Sequence, residues 1–317
     1  MKATMADAAR LLRERDFITI LCHRKPDGDT LGSGFALYHA LRQRGKTCRV
    51  RCADGFPALY GFLADGYAPE EFEEQTVVAV DIASLSLLGA LREEYEGRVD
   101  LTVDHHRSNE CFAKENWVDG DAAAVAEMIW DLARELEAEI TPQIAICIYT
   151  GIVTDTGCFR YSNTTPNSLR IAARLIEEGL DTQPIIRAMF ESKSPRRMAF
   201  ESQVLSGIRY YGGGRCAVIS TDQALQEEFQ LDDYDLEGIS ALPRQIVGVL
   251  VGVTIRQADG ECRVSLRTNP PVDASAICAV FGGGGHLRAA GCTIPGTVEE
   301  AERVLVAEIE RHLPGDP

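Results

Sequence analysis

Residues 17–29 read FITILCHRKPDGD, and they indicate the architecture of this chain. The apolar run at 17–22 is typical of a buried strand. A proline and a glycine follow, so His23, Asp27 and Asp29 are expected on a short loop beyond the strand. In open α/β sheets, the loop at the carboxyl end of a strand is where ligands bind. One imidazole and two carboxylates on such a loop predict a divalent metal site.

Strand-like and helix-like segments alternate along the first half of the chain. Further apolar, strand-like runs lie at residues 47–52, 76–81 and 99–103. Helical patterns lie at residues 30–44, 85–94, 122–138, 144–153, 167–178 and 182–190. This alternation predicts an α/β fold with a mostly parallel sheet flanked by helices.

A change of pattern after residue 190 indicates a second domain. Residues 191–209 are polar, contain a proline and then become helical, which predicts a linker with a connecting helix. The first domain is therefore expected at 1–190, and a smaller α/β domain at 210–317. In the latter, two strand-like runs separated by Ala258-Asp259-Gly260 predict a hairpin.

The composition of the chain indicates which binding partners and which cellular compartment to expect. The 317 residues carry a net charge of −16, from 32 basic and 48 acidic residues, so long DNA or RNA is not expected as a partner. The apolar runs are too short to predict a membrane span, and residues 1–16 lack the apolar stretch that would predict a secretory signal. Ten cysteines without a CxxC pair are typical of reduced thiols, which predicts a cytoplasmic protein.

Three more acidic features accompany the opening stretch. Asp81 ends one strand-like run, Asp104 with His105 and His106 ends another, and Asp155 ends an apolar helical segment. Taken singly, each has an ordinary explanation as a turn residue or a helix cap. The carboxyl ends of parallel strands share one edge of a sheet, however, so these side chains are expected to converge.

Four of the carboxylates would repel one another if they converge. Asp27, Asp29, Asp81 and Asp155 would carry about four negative charges at neutral pH, and crowding would favour proton uptake. Two divalent cations would neutralise them. Carboxylates combined with imidazoles favour Mn²⁺, with Mg²⁺ or Fe²⁺ as alternatives.

The same residues resemble the signatures of the DHH phosphoesterase family. The match comprises His23-x-x-x-Asp27-x-Asp29, Asp81, Asp104-His105-His106, Asp155 within Thr-Asp-Thr-Gly, and GGGGHLRAAG at 282–291. The last of these looks like the signature of the DHH-associated substrate domain. Five motifs in this order span nearly the whole chain.

The resemblance implies two divalent metal ions and a set of site residues. The implied metal ligands, with Asp81 shared by both ions, are His23, Asp27, Asp29, Asp81, His105 and Asp155. His106 would face the scissile phosphate, and Asp104 would orient a neighbouring histidine, so both are predicted catalytic residues. The alternative for His106 is a purely supporting role.

A further set of residues is predicted to bind substrate. Glycines lack Cβ atoms, so consecutive backbone N–H groups could close on an anion, and neighbouring cationic side chains could add donors. A flexible loop and a surface arginine are the ordinary alternatives. The predicted substrate residues are Gly283, Gly284, Gly285, His286, Arg288, Arg267 and, on the first domain, Arg160.

Within the family, the compact acidic chain resembles the oligoribonucleases, or nanoRNases. These enzymes also dephosphorylate 3′-phosphoadenosine 5′-phosphate (pAp). The implied activity is hydrolysis of short oligonucleotides and linear dinucleotides to mononucleotides, and of pAp to AMP, by a possible homodimer. Three alternatives stay open: a single-strand DNA exonuclease, a cyclic-dinucleotide phosphodiesterase, and a nucleotide-binding regulator without turnover.

Overall fold

The computed structural model describes residues 1–230, 238–258 and 260–315. The chain divides into two compact units, Met1–Ser192 and Lys193–Pro317. No helix in the described ranges is both long enough and apolar enough to cross a lipid bilayer.

The first unit is built on a five-stranded parallel sheet, which confirms the predicted fold class. Its strands are Ile18–Cys22 (β1), Cys48–Cys52 (β2), Thr76–Val80 (β3), Leu101–Asp104 (β4) and Glu115–Val118 (β5). They lie in the order β2-β1-β3-β4-β5. β1 and β3 are buried along their whole length, as is typical of parallel strands covered on both faces. The polar sequence of β5 carries no strand pattern, and β5 was not predicted.

Helices cover this sheet. They are Met5–Glu14 (α1), Gly28–Gln43 (α2), Arg92–Tyr95 (α3), Val125–Glu135 (α4), Pro142–Asp155 (α5), Pro166–Glu177 (α6) and Gln183–Ile186 (α7). The helix predicted at 85–94 is wrong over most of its length. Its first part is a 3₁₀ segment, Leu85–Leu91, because Gly89 has φ 57° and interrupts the helix before α3.

The close packing of α2 against α5 positions the acidic residues. A Cβ atom on Gly32 would lie 2.4 Å from the Cys147 carbonyl oxygen, so only glycine permits this approach. The two helices run in opposite directions, because Gly28 lies against Thr154 whereas Gly32 lies against Cys147. The start of α2 therefore lies beside the end of α5.

The second unit contains a six-stranded mixed sheet. Its strands are Arg209–Tyr211 (β6), Cys216–Thr221 (β7), Val251–Ala258 (β8), Glu261–Thr268 (β9), Gly284–His286 (β10) and Ala289–Pro295 (β11). They lie in the order β10-β11-β9-β8-β7-β6, and β7 and β8 run parallel. The predicted hairpin is confirmed as the antiparallel pair β8 and β9, although Asp259 of its turn lies outside the described residues.

Helices of the second unit pack on its sheet. They are Pro195–Ser206 (α8), Gln223–Phe229 (α9), Ala274–Ala279 (α10) and Val298–His312 (α11). Ile277 of α10 and Leu305 of α11 join the buried cluster that contains Val253. Phe200 of α8, the helix predicted for the linker, packs with Ile219 in a second cluster.

Candidate metal centre

The residues after β1 form a helix start. The Asp27 side chain is the N-cap of α2, since its Oδ1 accepts hydrogen bonds from the backbone N–H of Asp29 at 3.0 Å and of Thr30 at 3.1 Å. Asp29, expected on a loop, therefore lies in the first turn of α2. His23 Nδ1 lies 2.8 Å from the Arg24 carbonyl oxygen and donates to it. In the neutral ring, the lone pair is therefore on His23 Nε2, which lies 3.5 Å from Asp27 Oδ1.

Asp29 is almost completely buried and contacts the start of α4. Its Oδ2 accepts a hydrogen bond from the backbone N–H of Val125 at 2.7 Å, and its Oδ1 accepts one from Ala126 at 2.9 Å. The N-cap of α4 is Ala124, which has no capping side chain, so Asp29 caps this helix from another element. A Cβ atom on Gly151 would lie 2.8 Å from Asp29 Oδ1, so this glycine makes room for the carboxylate.

Asp81 lies at the centre of the site, directly after β3. It is 3% exposed and has a left-handed backbone with φ 59°. Its Oδ2 lies 3.7 Å from His23 Nε2, and its Oδ1 lies 3.7 Å from His105 Nε2. Within the described residues, Oδ1 is buried without a hydrogen-bond partner. Burial, and next the charge of Asp29, raises the pKa of Asp81 far above its usual range.

His105 and Asp155 form the other side of the site. His105 Nδ1 lies 3.1 Å from the Ala122 carbonyl oxygen, which directs His105 Nε2 towards Asp155 Oδ2 at 3.7 Å. Burial, followed by the charge of Asp29, raises the pKa of Asp155 to about 7. Asn163 donates from Nδ2 to Asp155 Oδ2 at 3.3 Å.

His106 is held by a carboxylate behind it. Asp104 is fully buried, and its Oδ1 lies 2.8 Å from His106 Nδ1. Asn109 Nδ2 donates to Asp104 Oδ2. Burial acts to raise the pKa of Asp104, but the hydrogen bond from His106 and further donors leave it lowered. The same hydrogen bond raises the pKa of His106 and leaves its Nε2 unengaged by Asp104.

Three groups of side chains in the described residues have ligand atoms within 4.8 Å of one another. They are His23, Asp27 and Asp81; Asp29, His105 and Asp155; and Asp81, His105 and His106. The fold thus brings together all six residues predicted as metal ligands. A cation fits this set because it would give the buried Asp81 Oδ1 a partner and offset the crowded charges. The individual ligand roles stay predictions.

The glycine run of the second unit is not the flexible loop that is the ordinary alternative for it, since part of it lies in a strand. The backbone N–H of Gly283 donates to the Cys278 carbonyl at 3.0 Å, and the residues that follow form β10, paired with β11. A Cβ atom on Gly283 would lie 2.2 Å from the Gly291 carbonyl oxygen. A Cβ atom on Gly285 would lie 2.6 Å from the Ala289 carbonyl oxygen. These two glycines therefore allow close strand packing. A Cβ atom on Gly284 would have no described atom within 4 Å, so strand packing does not require a glycine there.

The cationic candidates of this unit lie near the β10–β11 turn. His286 ends β10 and is exposed. Arg288 lies in the turn, and its guanidinium donates to the Val272 carbonyl. Arg267, on β9, is paired in register with Ala289 of β11. Their roles towards substrate stay predictions.

Arg160, the candidate on the first unit, has local partners. Its Nε donates to the Gly157 carbonyl at 2.6 Å, and its guanidinium carbon lies 5.7 Å from the centre of the Phe190 ring. These contacts support the turn after α5.

Comparison with known proteins gives matches over most of the chain. The DHH family, N-terminal domain, matches residues 17–152, and the DHHA1 domain matches residues 220–313. A bifunctional oligoribonuclease and PAP phosphatase NrnA of Thermus thermophilus is 35% identical over 300 residues, covering 92% of this chain and 88% of that protein. The chain belongs to the DHH family. DHH proteins are metal-dependent phosphoesterases.

Other proteins extend the likeness. A protein of the same name from Bacillus subtilis is 27% identical over 299 residues, covering 92% of this chain and 94% of that protein. The crystal structure of an exopolyphosphatase-related protein from Bacteroides fragilis has a TM-score of 0.87 at 28% identity, covering 97% of this chain and 96% of that chain. RecJ of Thermus thermophilus, solved with Mn²⁺, shares the fold, with a TM-score of 0.58 at 14% identity over 99% of this chain and 55% of RecJ.

Sequence reasoning missed the residues that support the DHH site. Asn163 and Asn109 hold carboxylates, but a single asparagine in a loop carries no signal of that role. Gly151 had a weak signal, because a lone glycine inside an apolar helical pattern often marks a close packing contact. The carbonyl of Ala122, which orients His105, has none.

Proposed function

We propose that this protein is a two-metal phosphoesterase that hydrolyses short oligonucleotides, such as nanoRNA and linear dinucleotides, to mononucleotides, and pAp to AMP. The observation that carries the proposal is the set of carboxylates and imidazoles around the buried Asp81. The relatives' names, oligoribonuclease and PAP phosphatase, support the substrate class. The net charge of −16 also favours a small substrate over long nucleic acid. The cytoplasmic location and the homodimer stay predictions.

The two ions would share Asp81, whose two oxygens face different histidines. The other ligands would be His23 and Asp27 for one ion, and Asp29, His105 and Asp155 for the second. The Nδ1 atoms of both ligand histidines face backbone carbonyls, which favours ligation through Nε2. Carboxylates with imidazoles favour Mn²⁺, with Mg²⁺ and Fe²⁺ as alternatives.

When bound, divalent ions at such a site supply a water nucleophile at neutral pH and offset negative charge on phosphoryl oxygens. His106 is the proposed proton donor of the protein itself. Because Asp104 engages its Nδ1, Nε2 can donate to a phosphoryl or leaving-group oxygen. Asp104 acts as a positioning residue, since its oxygens face His106, the adjacent backbone and Asn109.

The second unit would bind a terminal phosphate of the substrate. Arg267, His286 and Arg288 supply cationic or neutral N–H donors suited to phosphate oxygens. Gly283 and Gly285 would contribute by letting β10 pack closely on β11, which holds His286 at the end of the strand. On the first unit, Arg160 would contribute through the turn that it supports.

A product time course tests the proposal. The purified protein is incubated with end-labelled di-, tri- and tetraribonucleotides, with pAp, with short DNA and with cyclic dinucleotides, each with Mn²⁺ and with chelator. We expect mononucleotide release from the short RNAs and AMP release from pAp, with Mn²⁺ only. Asp81→Asn should lower turnover by more than about 100-fold. Replacing a residue that only hydrogen-bonds a metal ligand typically lowers activity by about 10- to 100-fold. Asp131→Asn, an exposed carboxylate on α4, is the matched control.

The outcomes separate the alternatives. Equal turnover with Mn²⁺ and with chelator would refute the two-metal mechanism. Dinucleotide binding without any product would indicate a regulator, and preferred cleavage of short DNA or cyclic dinucleotides would indicate one of the other two activities.

A further inference from the structure

The turn after α5 holds an aromatic ring against a glycine. A Cβ atom on Gly157 would lie 2.3 Å from Tyr161 Cζ and 2.5 Å from both Cε1 and Cε2. Near-equal distances to these three atoms place that position over the face of the ring, not beside its edge. Gly157 also has φ +56°, so glycine is favoured there by both backbone and side-chain packing.

Much of the side chain of Tyr161 is exposed. Tyr161 is 45% exposed although it is one of the larger apolar side chains. Within the described residues, its ring pairs with no other aromatic ring or guanidinium, whereas the neighbouring Phe159 ring packs on Tyr149. One face of the Tyr161 ring thus packs on Gly157, and nearly half of the residue stays accessible to solvent.

The turn is tied to the candidate metal centre. The backbone N–H of Tyr161 donates to the Thr156 carbonyl at 3.0 Å, directly after Asp155. Two residues beyond the ring, Asn163 Nδ2 donates to the Asp155 carbonyl at 3.2 Å and to the Ala123 carbonyl at 3.1 Å. The backbone on both sides of Tyr161 is therefore anchored by hydrogen bonds to the segment that carries the predicted metal ligand Asp155.

We propose that Tyr161 is a stacking platform for a nucleobase of the substrate nucleotide whose phosphate lies at the metal centre. This inference rests on the proposed function and adds to it the side chain that selects nucleotides among phosphate esters. A neutral aromatic face next to an acidic centre binds the uncharged base without contacting the phosphate. Every base has a π-face, so the platform accepts all four bases without reading their edges.

Paired ligands with and without a base test the inference. The first pair is the 5′-phosphorylated dinucleotide pApA and the same ribose-phosphate backbone without bases, compared by KM and kcat with Mn²⁺. The second pair is AMP and ribose 5-phosphate, compared by calorimetric dissociation constants, which need no turnover. Tyr161→Ala should raise KM for pApA and Kd for AMP by about 5- to 150-fold. KM for the base-free backbone and Kd for ribose 5-phosphate should not change. The kcat for pApA should stay within about twofold of the wild-type value.

Three further variants complete the design. Tyr161→Phe keeps the ring and should match the wild type, whereas Tyr161→Leu keeps apolar packing over Gly157 and should behave like Tyr161→Ala. Tyr210→Ala removes an exposed tyrosine of β6 in the second unit and should change nothing. Mn²⁺ affinity, measured in parallel, should be the same in all variants.

Two results would overturn the platform. One is an equal loss by Tyr161→Ala for ligands with and without a base, which would mean that the ring only supports Asp155. The other is a wild-type protein that does not prefer AMP to ribose 5-phosphate. Absence of hydrolysis in the wild type would instead refute the proposed function, while the calorimetric pair would still report on the platform.

Discussion

Asn163 shows how one uncharged side chain can hold a metal ligand in place. Its Nδ2 lies within hydrogen-bonding distance of Asp155 Oδ2, of the Asp155 carbonyl and of the Ala123 carbonyl. It thereby connects the end of α5 to the segment whose Ala122 carbonyl orients His105. Outer partners of this kind fix ligand orientation and contribute to metal affinity.

Asn163→Ala should therefore weaken metal binding without unfolding the protein. We expect the Mn²⁺ dissociation constant, measured by calorimetry, to rise by about 10- to 100-fold. Asn167→Ala is the matched control, since Asn167 donates to Glu127 and not to a predicted ligand. Unchanged Mn²⁺ affinity in Asn163→Ala would show that Asp155 does not need the hydrogen bond from Asn163 to bind metal.

Among the elements, the α2–α5 pair has the greatest influence on the site. Asp29 lies in the first turn of one helix and Asp155 ends the other, so their separation depends on how closely the helices pack. Gly32 permits that approach, because its missing Cβ would clash with a backbone carbonyl that cannot rotate away.

Gly32→Ala should push the two helices apart. Overpacking of this kind typically costs about 1–3 kcal/mol, and each kcal/mol lowers the melting temperature of a domain this large by about 2–4 °C. We expect a lower melting temperature together with weaker Mn²⁺ binding. Gly61→Ala is the control, since a Cβ there meets nothing within 4 Å and the backbone is not left-handed. A Gly32→Ala protein that melts like the wild type would contradict this account.

For the whole molecule, the crowded carboxylates link stability to pH. The pKa of Asp155 is raised to about 7 in the folded protein, and that of Asp81 is also raised, from an ordinary value of 3.8. Between about pH 4 and 7 these two carboxyl groups therefore bind more protons in the folded protein than in the unfolded chain. The stability that this contributes is present at low pH and is lost as the pH rises through 7.

The metal-free protein should accordingly melt at a lower temperature at pH 8 than at pH 5. With saturating Mn²⁺ the melting temperature should instead be higher at pH 8 than at pH 5. The cations then take the place of the protons in relieving the repulsion between carboxylates, and they bind only the folded state. Calorimetric melting at both pH values, with chelator and with Mn²⁺, measures the effect. A metal-free melting temperature that is flat or rises between pH 5 and 8 would exclude a raised pKa at Asp155.

The resemblance to the DHH family implied the six candidate ligands, and the amino-acid sequence by itself was sufficient to predict the parallel α/β fold and the convergence of acidic side chains at its strand ends. These features follow from local patterns, because apolar periodicity defines strands and helices and the ends of parallel strands meet at one edge. It was insufficient for β5 and for the glycine run, whose strand β10 depends on pairing with β11 rather than on its own composition.

The tertiary structure alone decided how each side chain is used. Asp29 caps a helix that begins 96 residues later, Asp81 has an oxygen without a partner in the described part of the chain, and Tyr161 lies face-on against Gly157. Such pairings depend on which distant residues the fold brings within a few ångströms. A local sequence pattern therefore specifies a carboxylate's position in an element, whereas the packing of other elements determines which of its lone pairs remain free.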